Sequence, residues 1–254
     1  VRTLLIDADP YAYKYASRNQ TNVDWDGDGD SAISTDVETA YAELKEDLDT
    51  LAVTLKADKV VVCLTDYDNV NFRKSIFPGY KSKRGVKPLL LPELRAFLAE
   101  NWKSYIRPTL EADDILGILA THPTLLKGQK VIVSIDKDLK TVPGFLYNPD
   151  HEKRGVVEVG AREAYHYFMT QVITGDQTDN YPGCPGAGPK AAEKVLHTDV
   201  GTRRAMWEAV VSVYEAKGLT EEDAIVQARC ARILQHEDYN FKTKRHILWT
   251  PPKK

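Results

Sequence analysis

The run Thr3-Leu4-Leu5-Ile6-Asp7-Ala8-Asp9 decides how the rest of the chain is read. Its aliphatic stretch stops abruptly on acid, the pattern of a strand buried on both faces that carries a carboxylate to its end. The pattern returns twice: Lys59 to Leu64 precedes Thr65-Asp66, and Lys130 to Ser134 precedes Ile135-Asp136-Lys137-Asp138. Between the first two runs, Val37, Ala40, Tyr41, Leu44, Leu48, Leu51 and Leu55 form a helical stripe behind a capping box expected at Thr35 and Glu38. Such alternation predicts an α/β fold with a mainly parallel sheet, whose carboxyl edge is where ligands bind.

Working outward, helices are expected at Leu91 to Asn101, beside Pro92, and at Ala112 to Ala120, with short strands at Ser104 to Ile106 and Phe145 to Tyr147. Beyond Gly160 the character changes. A helix from Arg162 to Ile173, a Gly/Pro-rich turn from Asp176 to Pro189, and helical stretches near Lys190, Met206 and Ala224 predict a mainly helical second part. The expected division is therefore 1–160 and 161–254.

Composition excludes several classes. Hydrophobic residues at 43% and charged residues at 28% rule out a mainly disordered chain, and no apolar run approaches a membrane span. The N-terminal run is too short for a signal peptide, and the absent Met reads as processing, trimming or an alternative start. Cys63, Cys184 and Cys230 are scattered, so disulfides and thiolate metal sites are not expected, and a reducing, cytoplasmic setting is. A net charge of -3 argues against bulk polyanion binding, yet Arg73, Lys74, Lys81, Lys83, Arg84 and Lys87 follow one another with no acid between them.

The acids themselves are the chemical signal. Asp7, Asp66, Asp136 and Asp138 fall at strand ends, Glu111, Asp113 and Asp114 at the start of a helix, and Asp176 and Asp179 in the Gly-rich turn. Any one of them is an ordinary helix-start or turn acid. Nine sharing one cleft could not all stay ionised without cations between them, and all-oxygen ligation suits Mg²⁺ or Mn²⁺ rather than zinc.

These acids occur in a recognisable order. Through Leu5-Ile6-Asp7, Asp66 followed by Phe72-Arg73, Tyr80-Lys81 with Arg84, Glu111-Ala112-Asp113-Asp114, Ser134-Ile135-Asp136-Lys137-Asp138-Leu139, and Gly175-Asp176 through Asp179-Asn180, the chain resembles the 5′-nuclease family. The resemblance is to flap endonucleases and 5′-to-3′ exonucleases, above all the small bacteriophage exonucleases without a polymerase domain. Ala231-Arg232-Ile233-Leu234 and Tyr239-Asn240-Phe241 extend it towards the C-terminal end. Ala8 replaces a usual Gly and Ala191 a common Thr; neither change removes a carboxylate.

The resemblance implies a PIN-like α/β core with a helical gateway near 72–100, and a helical DNA-binding region with a helix-3-turn-helix motif near 175–197. It also implies two-metal phosphodiester hydrolysis, with Asp7, Asp66, Glu111, Asp113 and Asp114 at one ion and Asp136, Asp138, Asp176 and Asp179 at the other; Asp113 and Asp136 are the acids on which catalysis is expected to depend most directly. Lys81 and Arg84 would act at the scissile phosphate and Tyr80 would stack on a base. Arg73 and Lys74 would support substrate or seal the cleft and, with Lys83, belong to the DNA-binding set, while Gly186, Gly188 and Lys190 would grip duplex phosphates beside a K⁺ ion. Substrates would be DNA with 5′ ends, flaps or junctions, and RNA–DNA hybrids. The protein would be a monomer in the cytoplasm of a phage-infected bacterium.

Two motifs are decoys. Asp24-Trp25-Asp26-Gly27-Asp28-Gly29-Asp30 copies the start of a calcium loop, but its twelfth position is Thr35 rather than Glu. Gly183 to Lys190 has Walker-like glycine spacing, but Pro189 precedes the lysine and Ala191 follows it, so the hydroxyl such a motif needs is missing. Two other functions stand beside the nuclease reading: a PIN-type ribonuclease, disfavoured by the Gly183-to-Lys190 turn, and a catalytically silent DNA-junction binder, disfavoured by the full carboxylate set.

Overall fold

A computed structural model describes residues 1–23, 32–68, 70–83, 85–197 and 201–253. The calcium-loop decoy at 24–30 and Arg84 lie outside these residues. In chain order the first elements are β1 (Arg2–Asp7), α1 (Ala8–Arg18), β2 (Gln20–Val23), β3 (Ala32–Thr35), α2 (Val37–Thr54), β4 (Lys59–Cys63), α3 (Arg73–Ile76) and α4 (Leu91–Asn101). There follow β5 (Lys103–Tyr105), α5 (Ala112–Thr121), β6 (Gln129–Val133), β7 (Gly144–Tyr147) and β8 (Val157–Val159). The chain continues through α6 (Ala161–Thr174), α7 (Pro189–Val195), α8 (Arg203–Glu215), α9 (Glu221–Ala231), β9 (Tyr239–Asn240) and β10 (Arg245–His246).

Among the described residues six strands form one sheet in the order β5-β4-β1-β6-β7-β8, parallel except for the last pair. β1 lies inside the sheet, with Ile6 level with Val62 of β4 and Val133 of β6. Its side chains alternate between faces, as the pleat requires. Leu4 and Ile6 join Val62, Leu44, Leu48, Leu94 and Leu98 in a core roofed by α1, α2 and α4. Leu5 joins Val61, Ile132, Leu116 and Leu119 under α5 on the other side. The aliphatic run must therefore be continuous, because both faces are covered.

Several expectations differ from what is found. Helix α2 is capped by Asp36, which accepts the Thr39 N–H at 3.0 Å, one residue after the expected Thr35 cap. The stretch 72–100, expected to be a helical gateway, holds one helical turn in α3 and the longer α4, which packs into the core. The break expected at 160 is bridged, because Ile233, Leu234 and Tyr239 return to the α5 face of the sheet. Gly117 on α5 makes that return possible, since a Cβ there would run into the Leu234 carbonyl oxygen. Helices α6 to α9 form a third core that also takes in Tyr80 and Trp249. No helix among the described residues is long and apolar enough to cross a membrane.

Candidate active site

The strand ends bring Asp7, Asp136 and Asp138 together as the topology requires. Asp7 ends β1 and is 4% exposed; its Oδ2 accepts the Ser134 hydroxyl at 2.7 Å, just beyond β6. The same hydroxyl oxygen accepts the Asp136 N–H at 2.9 Å, and Asp136 Oδ1 accepts the Asp138 N–H at 2.8 Å. Asp138 is held by Gln171 of α6, whose amide donates to its Oδ1 at 2.7 Å. In the turn after α6, Asp176 accepts the N–H groups of Thr178 and Asp179 and pairs with Lys137 at 3.2 Å. Asp66 stands at the exit of β4, its Oδ2 taking the Thr109 N–H at 2.9 Å.

Lys81 reaches into this group from the basic segment. Its backbone is left-handed, with φ near 50°, and its N–H donates to the Asp179 carbonyl at 2.8 Å. Its Nζ lies 2.5 Å from Glu111 Oε1 and 3.3 Å from Asp179 Oδ2. The Tyr80 hydroxyl, 2.9 Å from Glu111 and from Asp179, bridges the same two carboxylates. A recess between Tyr80, Glu111, Asp113, Asp138 and Asp179 remains beside them.

The electrostatics follow from burial and crowding. Burial pushes the Asp7 carboxyl up to about 7, with Asp9 and Asp136 adding to the rise and the Ser134 bond opposing it. Burial and then Asp136 and Asp176 raise Asp138 to about 7. Asp113 is driven well above the usual carboxylate range by burial, Asp7 and Asp136. Burial alone would raise Glu111 too, but Lys81 and Arg73 outweigh it and hold it down at about 2. Among the described residues no three acid, imidazole or thiol side chains stand close enough together to grip an ion as they are. Lys81 and Tyr80 occupy the space between two of the acids instead.

Arg73, Asp114 and Tyr80, expected at metal or DNA, are buried and committed to partners within the protein. Arg73 is 2% exposed, and all five of its donors are used: by Cys230 and Arg232 carbonyls, by Glu111, and by both oxygens of Asp114. Asp114, expected as a metal ligand, is fully buried; besides Arg73 it accepts the Leu234 and Glu111 N–H groups, which fills both oxygens. Tyr80, expected to stack on a base, is 3% exposed and committed to Glu111 and Asp179. Lys74, Lys83, Gly186, Gly188 and Lys190 are exposed.

The Gly-rich turn is a tight knot. Gly175 and Gly183 both have positive φ, and each backbone blocks the space a Cβ would need on the other. Gln227 of α9 accepts the Gly183 N–H at 2.9 Å. Lys217, after α8, brings its exposed amine near Gly186. Lys217, Ser134 and Gln171 are site-region residues for which the sequence reading assigned no role. Ser134 sat inside a quoted motif, whereas nothing local marks Gln171 or Lys217.

Comparison with known proteins shows the family and the fold. Residues 2–144 match the family model described as 5′-3′ exonuclease, N-terminal resolvase-like domain. The chain is 34% identical over 227 residues to the exodeoxyribonuclease of Enterobacteria phage T3, covering 75% of this chain and 73% of that one. It is 34% identical over 148 residues to the flap endonuclease Xni of Shewanella halifaxensis, covering 52% of this chain and 56% of the relative. The crystal structure of the bacteriophage T5 D15 flap endonuclease in a pseudo-enzyme-product complex with DNA and metal ions has the same fold, with a TM-score of 0.62 and 14% identity, covering 90% of this chain and 88% of that one. With the family model spanning more than half of its length and the phage T3 relative matched across most of both chains, the protein belongs to the 5′-3′ exonuclease family.

Proposed function

We propose that the protein is a divalent-metal-dependent 5′-to-3′ exonuclease and flap endonuclease that hydrolyses phosphodiester bonds near DNA 5′ ends by a two-metal-ion mechanism, with RNA–DNA hybrids as further substrates. One observation carries the reading: the carboxylates of Asp7 at the end of β1 and of Asp136 and Asp138 beyond β6 are linked through Ser134 and backbone bonds, beside a lysine ammonium held between Glu111 and Asp179, a crowding that raises Asp7, Asp113 and Asp138. A cation already has a place there, and the donors are all oxygen, which fits Mg²⁺ or Mn²⁺.

In this reading Asp7, Asp66, Glu111 and Asp113 hold one ion and Asp136, Asp138, Asp176 and Asp179 the other. Asp114, saturated by Arg73, supports the first set instead of joining it. Held by these residues, divalent ions would supply an activated water and stabilisation of the entering and leaving oxygens. Ser134 and Gln171 fix the carboxylates of Asp7 and Asp138. Lys81 leaves Glu111 for the scissile phosphate as negative charge grows there, with Arg84 beside it. Lys74, Lys83, Lys190 and Lys217 meet backbone phosphates, and the Gly186–Gly188 turn approaches the duplex with a K⁺ ion. The protein acts as a monomer in the cytoplasm of an infected bacterium.

Incubation with a 5′-labelled flap duplex, with and without Mg²⁺, tests this. Release of short 5′ products only with the ion is the expected result. Cleavage confined to single-stranded RNA would favour a PIN-type ribonuclease, and tight junction binding without cleavage in any divalent ion would leave a silent binder.

A further inference from the structure

Asp9 follows Asp7 by two residues but faces elsewhere. Its Oδ2 accepts the backbone N–H of Thr65 at 2.9 Å, and its Oδ1 lies 3.3 Å from Nη1 of Arg95. Arg95 comes from α4, is 8% exposed, and donates through Nη2 to the Thr65 carbonyl. One ion pair reaching from two helices therefore holds both backbone polar groups of Thr65, a residue already past the end of β4. The Thr65 hydroxyl then accepts the N–H of Ala112 at 3.1 Å, between Glu111 and Asp113. Asp66 is the next residue along.

The placement of Arg95 calls for a reason. Its neighbours on the buried side of α4 are Leu91, Leu94 and Leu98, and a guanidinium in that stripe costs desolvation that a leucine would not. Its Nε is buried without a partner, so the site is not optimised for packing or for bonding. The ring of Tyr67, 5.1 Å from the guanidinium carbon, covers it on the outer side. A first-turn acid that favours the α1 dipole would explain Asp9 alone, but not its hold on a different strand end.

We infer that Asp9 and Arg95 are positioning residues, a clamp on Thr65 that sets Asp66 and the start of α5 in mutual register at the acid cluster. The inference rests on the nuclease reading for its consequence and on the contacts above for its geometry. Neither residue touches substrate. The clamp fixes where two ligand-bearing segments stand before any ion or DNA arrives, so its loss appears in ion affinity and rate, not in DNA affinity.

The experiment compares the full chain with Arg95→Met and Arg95→Lys in three assays: Mn²⁺ binding without DNA by electron paramagnetic resonance, flap-duplex affinity in EDTA, and single-turnover cleavage at saturating DNA in Mg²⁺. Arg95→Met should weaken Mn²⁺ binding and slow cleavage by roughly 10–100-fold, the usual penalty for losing a group that orients metal ligands, with duplex affinity unchanged and partial recovery in Arg95→Lys. A folded Arg95→Met with wild-type Mn²⁺ binding and rate overturns the clamp. If Arg95→Met does not fold, Asp9→Asn takes its place; it removes the charge that faces Arg95, and wild-type Mn²⁺ binding and rate in it overturn the clamp equally. Failure of the wild-type protein itself to cleave would strike the nuclease reading, while the Mn²⁺ comparison would still judge the clamp.

Discussion

Arg73 Nη1 and Nη2 meet the two oxygens of Asp114 at 2.9 and 2.7 Å, and neither side chain is more than 2% exposed. The pair ties the basic segment to α5 and, through the Cys230 and Arg232 carbonyls, to the end of α9. Breaking one partner of such a pair strands a buried charge. Arg73→Met should therefore cost about 3–5 kcal/mol of stability, read from urea unfolding, and leave the salt dependence of DNA binding unchanged. Full stability with a shallower salt slope would return Arg73 to the DNA surface.

Asp113 and Asp136 contribute charge to one crowded cluster. Asp113→Asn or Asp136→Asn keeps size and removes one ligand charge, so cleavage should be eliminated while the duplex still binds. Purified variants with wild-type turnover in Mg²⁺ would overturn the ligand assignment.

Lys81 and Lys190 should separate by kinetic signature. Lys81 lies among the acids, whereas Lys190 is exposed on the turn side. Lys81→Ala should lower the single-turnover rate at saturating DNA, because its charge matters most in the transition state. Lys190→Ala should weaken binding by about 1 kcal/mol or more and spare that rate, as loss of uniform binding does. Titrating enzyme over a fixed duplex measures both, and a reversed pattern would sink the division.

The cluster also sets a pH dependence. Asp7 and Asp138, near 7 against an ordinary 3.8, keep protons in the folded chain that the unfolded chain has released. The native state binds more protons across that window, so stability falls as pH rises from about 4 to about 7. Glu111 works the other way: held at about 2 against 4.5, it stabilises above its ordinary value and loses that contribution only as pH falls towards 2. In EDTA the protein should melt lower near pH 8 than near pH 5.5, at about 2–4 °C for each kcal/mol lost. Mg²⁺ should raise the melting point most at the higher pH, and Asp7→Asn with Asp138→Asn should flatten the EDTA profile.

How much of this was legible in the sequence varied from element to element. The three strands showed because both faces of β1, β4 and β6 are covered, which forces continuous aliphatic runs. Helix α4 runs from Leu91 to Asn101 as expected, with Pro92 in its first turn marking the start. Helix α1 escaped notice because its buried side is made of Tyr11, Ala12, Tyr15 and Ala16, which carry little aliphatic signal. The cap of α2 slipped by one residue because Asp36 competes with Thr35 for the same N–H groups. At the site, the positions of the acids could be read but their partners could not. Arg73, Lys74 and Lys83 look alike in a basic run, and only tertiary contacts bury the first of them.

The crossing of α5 by Ile233 and Leu234 also bears on when, during synthesis, the protein becomes itself. A ribosome delivers β1, β4, α5 and β6 early, but the side of α5 around Gly117 stays uncovered until residues near 233 emerge. Until then Asp114 lacks the Leu234 N–H, and Arg73 lacks two carbonyl acceptors, those of Cys230 and Arg232. The buried pair beside the acid cluster thus completes its contacts late, and a nascent chain carries that cluster without its full support.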